Sequence, residues 1–149
     1  MLHQEKRSKA SLSDEWETPN DMFAGLSTLY NIDCILDVCA TEDNTKCVNF
    51  FSESDNALKK SWQYDAWCNP PHSKTSDFVR KAYVEWKENN INIMLLIPTN
   101  TMSSNYWHQY IEGNAEYHPV KGRIHFLQDG EVSPFPSRNA YVCVIFRKS

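Results

Sequence analysis

Four consecutive residues, Asn69-Pro70-Pro71-His72, combine the groups needed to activate an amine that is a poor nucleophile. An exocyclic amino nitrogen on an aromatic base has its lone pair delocalised into the ring. Acceptors for its N–H groups let the nitrogen become tetrahedral and aim that lone pair at an incoming methyl group. The side-chain oxygen of Asn69 and the backbone carbonyl of Pro70 are two such acceptors, and an amide oxygen accepts without first losing a proton. The prolines stiffen the turn, so the acceptors are held before a substrate arrives. His72 then offers a flat face on which a base can stack. Asn-Pro-Pro alone is also an ordinary turn, so its surroundings decide what it does.

Those surroundings read as alternating strands and helices. Tyr64 to Cys68 is apolar apart from Asp65 and runs straight into Asn69-Pro70-Pro71; a double proline cannot continue a central strand, so a strand is predicted to end there. Cys34 to Val38 is a second short buried strand, followed by Cys39 and Ala40. Ligands of open α/β sheets gather beyond the carboxyl ends of strands, so Asp37 to Ala40 and Asn69 to His72 are expected to line one crevice. Upstream, Thr18-Pro19-Asn20-Asp21 predicts a helix start, with Thr18 as cap, Pro19 in the first position and Asp21 as the acid of a capping box. Met22, Phe23, Leu26, Leu29 and Tyr30 follow at helical spacing. Phe50-Phe51 marks another strand and Asn56 to Trp62 a short helix.

Asp77 is expected to cap the next helix, with Phe78, Ala82 and Trp86 on one face and Asn89-Asn90 at its end. Ile91 to Ile97 is a buried strand stopped by Pro98, and a helix around Ser104–Ile111 carries Trp107, Tyr110 and Ile111. Tyr117–Val120 and Ile124–Leu127 are predicted to form a hairpin around Lys121-Gly122-Arg123, and Ala140–Phe146 is the last strand. The expected architecture is a single α/β domain over residues 15–149, after a flexible lead at 1–14 that holds the basic stretch His3 to Lys9. Its sheet is mostly parallel with an antiparallel C-terminal edge.

Composition narrows the function classes. The 149 residues favour one domain, and 41% hydrophobic with 23% charged residues is ordinary for a globular chain. No apolar run approaches the ~18 residues of a membrane helix, and the polar start lacks the apolar region of a secretory signal. Five cysteines, an odd number without a C-x-x-C pair, fit free thiols in a reducing, intracellular compartment; no metal is expected. A net charge of −4 argues against strong nonspecific nucleic-acid binding. Lys121, Arg123, His125, Arg138, Arg147 and Lys148 are either a local basic face or scattered surface charge. Trp62, Trp67, Trp86 and Trp107 read as core.

An ordered set of motifs spans the chain from about residue 15: Trp16-Glu17-Thr18-Pro19, Leu36-Asp37-Val38-Cys39-Ala40, Asp55-Asn56-Ala57-Leu58 with Trp62, Cys68-Asn69-Pro70-Pro71, Phe78 with Lys81-Ala82, Leu96-Ile97-Pro98, Gly122-Arg123-Ile124-His125-Phe126 and Pro134-Phe135-Pro136-Ser137. In this order they resemble the short bacteriophage DNA N6-adenine methyltransferase family, within the amino-methyltransferases that carry Asn-Pro-Pro-aromatic. The resemblance implies a Rossmann-like fold, S-adenosylmethionine as donor, and an adenine of DNA flipped into the pocket. It further implies donor contacts from Trp16, Thr18, Pro19, Asp37, Cys39 and Ala40, ribose contacts from Asp55, and Asn69 facing donor and acceptor. Asn69, Pro70, Pro71 and His72 form the catalytic set, and His72, Ser73 and Arg123 face the substrate. The expected location is the cytoplasm, the host's for a phage protein.

Simpler readings stand beside these roles. Trp16 is also placed to staple a helix, Asp37 to close a strand, Asp55 to cap the helix expected over Asn56 to Trp62, and Arg123 to form a turn. The motif carries His72 where the family usually has Tyr, and the loop after Asp37 has no glycine, in a chain with only four. His72 leaves open an amino-methyltransferase acting on cytosine N4, RNA adenine or protein glutamine, and also a catalytically silent nucleic-acid-binding relative. Target recognition falls to the loops at 99–115 and 121–139.

Overall fold

Two unbroken apolar runs, Ile93–Pro98 and Tyr141–Phe146, are buried at every position and pair antiparallel from Ile93↔Phe146 to Pro98↔Tyr141. The computed structural model describes residues 16–149; the lead at 1–14, with His3 to Lys9, lies outside them. In chain order the described elements are α1 (Asn20–Tyr30), β1 (Leu36–Asp37), β2 (Asn49–Phe50), β3 (Ala66–Cys68), α2 (Thr75–Asn89), β4 (Ile93–Pro98), β5 (Glu116–Pro119), β6 (Leu127–Gln128), β7 (Glu131–Val132) and β8 (Tyr141–Phe146). Short 3₁₀ turns cover Glu53–Asp55, Ala57–Lys59, His72–Lys74 and Thr99–Ser103, and a π turn covers Trp107–Ile111.

The main sheet has the order β2-β1-β3-β4-β8-β5, and β6 pairs with β7 separately. Pairs β1–β2, β1–β3 and β3–β4 are parallel, whereas β8 is antiparallel to both β4 and β5. The fold is therefore mixed α/β, with a mostly parallel six-stranded sheet.

Alternation along the central strands explains their unbroken hydrophobicity. Ile93, Leu95 and Ile97 of β4 and Val142, Val144 and Phe146 of β8 pack on one face with Phe78, Val79 and Ala82 of α2 and with Trp107 and Ile111. Met94, Leu96, Cys143 and Ile145 face the other way, against Leu26 of α1, Trp67, Ile124 and Phe126. Both faces are covered, so both sets of alternating side chains must be apolar. Trp62, Trp67 and Trp107 are fully buried, as expected; Trp86 is half-buried and its indole donates to Arg147 O at 2.7 Å.

Several local expectations need correction. Pro19, not Thr18, occupies the cap position of α1, and no side chain caps it. Asp77 lies inside the first turn of α2, whose cap position is Lys74, again without a side-chain cap. A carboxylate there still faces the positive end of the helix dipole. The segment around Asn56 to Trp62 forms 3₁₀ turns and no α-helix. The hairpin predicted at Lys121-Gly122-Arg123 does not form. Tyr117 and its neighbours pair with β8, and the hairpin joins β6 to β7 through Asp129 (φ 53) and Gly130 (φ 82). Two consecutive left-handed residues suit a tight hairpin turn. The antiparallel edge expected of the closing strands does form, with β8 antiparallel to β4 and β5 outermost.

Candidate active site

The strand order reverses between β1 and β3: the chain leaves β1 toward β2 and returns to β3 on the other side. Such a switch point opens a crevice at the carboxyl ends of the two strands. Asp37 ends β1 and Cys68 ends β3. Asp37 to Ala40 and Asn69 to His72 thus follow neighbouring strand ends on one side of the sheet. Val38 N donates to Trp67 O at 3.1 Å, which holds the two strand ends side by side.

A third segment is bonded to these strand ends. Asn69 Nδ2 donates to Trp16 O at 3.0 Å. Glu17 exchanges two backbone bonds of 2.8 Å with Leu127, and its carboxylate accepts from Asn44 Nδ2 at 3.3 Å. Residues 16–18 are therefore clamped among the loop after β1, the Asn-Pro-Pro turn and β6. The bond to Trp16 fixes the Asn69 amide, because a carbonyl only accepts and the nitrogen must point at it. Oδ1 is turned away from that contact as an acceptor. Within the turn Lys74 N closes on Pro71 O at 2.9 Å, leaving the Pro70 carbonyl out of that bond. Thr75 Oγ1 donates to His72 O at 3.0 Å and fixes the start of α2.

His72 meets a residue that no local motif announces. Tyr141, the first residue of β8, places its hydroxyl 2.7 Å from His72 Nε2. Ser73 sits in the exposed turn beside it.

The residues expected to contact the donor divide. Asp37 is buried, and its carboxylate accepts from Cys39 N at 3.1 Å and Lys46 N at 2.9 Å. It organises the loop after β1. Burial pushes its pKa up, and the two backbone bonds oppose that shift. Ala40 N donates to Phe51 O at 3.1 Å. The N–H groups of Val38, Cys39 and Ala40 are thus all used within the protein. Thr18 is 2% exposed, and its Oγ1 has no hydrogen-bond partner among the described residues. Asp55 is exposed and completes a capping box: Ser52 N donates to Oδ2 at 2.8 Å and Ser52 Oγ at 2.9 Å. The Ser52 N–H holds its pKa below the ordinary carboxylate value.

The basic residues of the last third do not share one face. Lys121, Arg123 and His125 line a cavity of about 410 Å³ with Pro19, Asp21 and Met22 at the start of α1. Arg123 donates to Arg138 O. Arg147 instead follows the far end of β8 and pairs with Glu116 at 2.7 Å, which holds that carboxyl below its usual pKa. Tyr141 opens β8 and Arg147 follows its end, so Arg147 lies at the opposite end of the sheet from His72 and Asn69.

Comparison with known proteins came down on one family. The family model for DNA N-6-adenine-methyltransferase (Dam) matches residues 5–149. A DNA N-6-adenine-methyltransferase of Escherichia phage T1 is 36% identical over 107 residues, covering 70% of this chain and 43% of the relative. One of Haemophilus phage HP1 is 33% identical over 125 residues, covering 82% of this chain and 71% of the relative. The chain thus spans less than half the length of the T1 protein.

Proposed function

The chain belongs to the DNA N-6-adenine-methyltransferase (Dam) family, and on that premise we propose that it transfers a methyl group from S-adenosylmethionine to N6 of adenine in DNA. The observation that carries this reading is the bond from Asn69 Nδ2 to Trp16 O, which presets the amide with its oxygen available to an amine. In this reading the sheet with its switch point at β1 and β3 is a Rossmann-like methyltransferase sheet. Target adenine enters unstacked from the duplex. Asn69 Oδ1 and Pro70 O accept from its two N–H groups, and His72 stacks on its ring.

The residues on the donor side fit this group. Thr18 Oγ1 is a buried hydroxyl without a partner among the described residues, and burying one costs about 1–3 kcal/mol unless something bonds to it. A polar ligand group supplies that bond. Trp16, Pro19, Cys39 and Ala40 form the surrounding walls, and Asp37 holds the Cys39–Lys46 loop in shape. Asp55, ionised and anchored by Ser52, binds the ribose hydroxyls. S-adenosylmethionine supplies an activated methyl group when bound; the protein's part is to place an amine in line with it.

On the DNA side, Arg123 and Lys121 contact phosphates beside the cavity they line, and Ser73 lies next to His72. The proposed location is the cytoplasm, where donor and DNA are both present. The decisive test incubates the protein with S-adenosylmethionine labelled in the methyl group and with duplex DNA, then digests the DNA to nucleosides. Label in N6-methyladenine is expected. Label in N4-methylcytosine, in RNA only, or in no nucleic acid overturns the reading.

A further inference from the structure

We propose that Tyr141 is a positioning residue for His72, its hydroxyl fixing the imidazole so that the two side chains act as one unit against the acceptor base. The contact spans 69 positions of sequence, and the hydroxyl lies 2.7 Å from Nε2. The rings are not stacked: their centroids are 6.1 Å apart and their planes meet at 37°. The bond between hydroxyl and nitrogen therefore defines the contact.

Tyr141 is built to be a fixed point. It is 2% exposed and pairs with Pro98 where β4 ends. Phe126 and the Tyr141 ring pack edge to face, with centroids 4.9 Å apart and planes at 64°. Its own carbonyl accepts from Val120 N and that of Ala140 from Thr99 N, both at 2.9 Å. Burial raises the pKa of its hydroxyl, so it keeps its proton.

His72 is placed differently. It is half-buried, at the start of a 3₁₀ turn of three residues, and its side chain turns about two soft torsions. Ordering such a side chain at the moment of binding is costly, and a bond formed beforehand removes that cost. The bond also settles which ring edge faces Tyr141 and hence which face of the ring meets a base. A histidine can play this part because Nε2 both donates and accepts, according to the tautomer.

This inference rests on the methyltransferase reading. Wild-type protein that transfers no methyl group to DNA refutes that reading, whereas the outcomes below refute only the role of Tyr141. Tyr141→Phe keeps the ring and the core volume and removes only the hydroxyl. Its KM for DNA is expected to rise about 3- to 10-fold, the usual worth of one hydrogen bond, with donor affinity unchanged. In a His72→Phe background, where there is no nitrogen to bond, adding Tyr141→Phe should change nothing further. Wild-type kinetics in Tyr141→Phe, or losses that multiply in the double variant, overturn the proposal. Should Tyr141→Phe melt too early for kinetics, the ¹⁵N resonance of His72 Nε2 decides at low temperature. A shift on losing the hydroxyl supports the bond, and an unmoved resonance overturns it.

Discussion

The side-chain amide of Asn69 donates to the backbone carbonyl of Trp16, 53 residues earlier in the chain, at 3.0 Å. That bond joins the turn after β3 to the segment at residues 16–18. It also decides which end of the amide would face an amine in the proposed reaction. Asn69→Ala is therefore expected to lower kcat/KM for DNA by about 100-fold or more, the scale seen when a preorganised transition-state hydrogen bond is lost. Asn69→Asp should be at least as damaging, because a carboxylate oxygen then faces the Trp16 carbonyl and both only accept. Initial rates with labelled donor check this. An Asp variant close to wild type would mean that the amide orientation is irrelevant.

Thr18 leads to a prediction with two opposite signs. Its hydroxyl is buried and unpartnered among the described residues, so Thr18→Val, which has the same shape, removes a desolvation penalty from the free protein. Stability without ligand should rise by about 1 kcal/mol. Affinity for S-adenosylmethionine should fall, because the hydroxyl no longer meets a polar group of the ligand. Urea unfolding and calorimetric donor titration measure the two effects separately. A variant that is less stable and binds the donor as tightly as wild type would show that the hydroxyl has an internal role.

Much of this site could be read from the residues themselves, for a physical reason. Strand ends are marked by local chemistry: Pro70-Pro71 cannot continue β3, and the apolar run before Asp37 marks β1. That the two ends lie on the same side of the sheet follows from parallel pairing. Tyr141 was not legible, because its bond to His72 depends on β8 lying next to β4, and no local pattern encodes strand order. The false hairpin at Lys121-Gly122-Arg123 has a similar origin. Gly122 does take a left-handed φ of 76°, as a hairpin turn would, but the flanking strand found a longer partner in β8. Thr18 has good capping chemistry, yet its hydroxyl was left unbonded among the described residues beside the Asn69 clamp, which propensity alone cannot foresee.

Asp37 gives the protein a defined pH dependence. Its folded pKa is raised above the ordinary 3.8, chiefly by burial. Between the unfolded value and the raised folded one, the native state holds more protons than the unfolded state, so stability falls as pH rises through that window. Below 3.8 this penalty is absent. Asp37→Asn abolishes the ionisation and should remove that part of the decline. It should also lower stability throughout, since an amide nitrogen then faces the N–H of Cys39 or of Lys46. Unfolding free energies from pH 3.5 upward test this, and parallel curves for variant and wild type would rule it out.

The charges around Lys121 and Arg123 make a prediction about salt. Both line the cavity beside the start of α1, on a chain whose net charge is −4. In the proposed reading, overall repulsion of DNA is offset locally by the counterions that each phosphate contact releases. Lys121→Gln should weaken DNA binding and lower the slope of log K against log[salt] by about 0.9, the value for one phosphate contact. Arg123→Gln should do the same and also release the Arg138 carbonyl that Arg123 now bonds. Arg147→Gln is the control. That residue pairs with Glu116 at the far end of the sheet, so its loss should leave the slope unchanged and reduce stability only. Fluorescence anisotropy with a labelled duplex over a range of salt measures all three. Equal slopes for wild type and Lys121→Gln would place the DNA on another face.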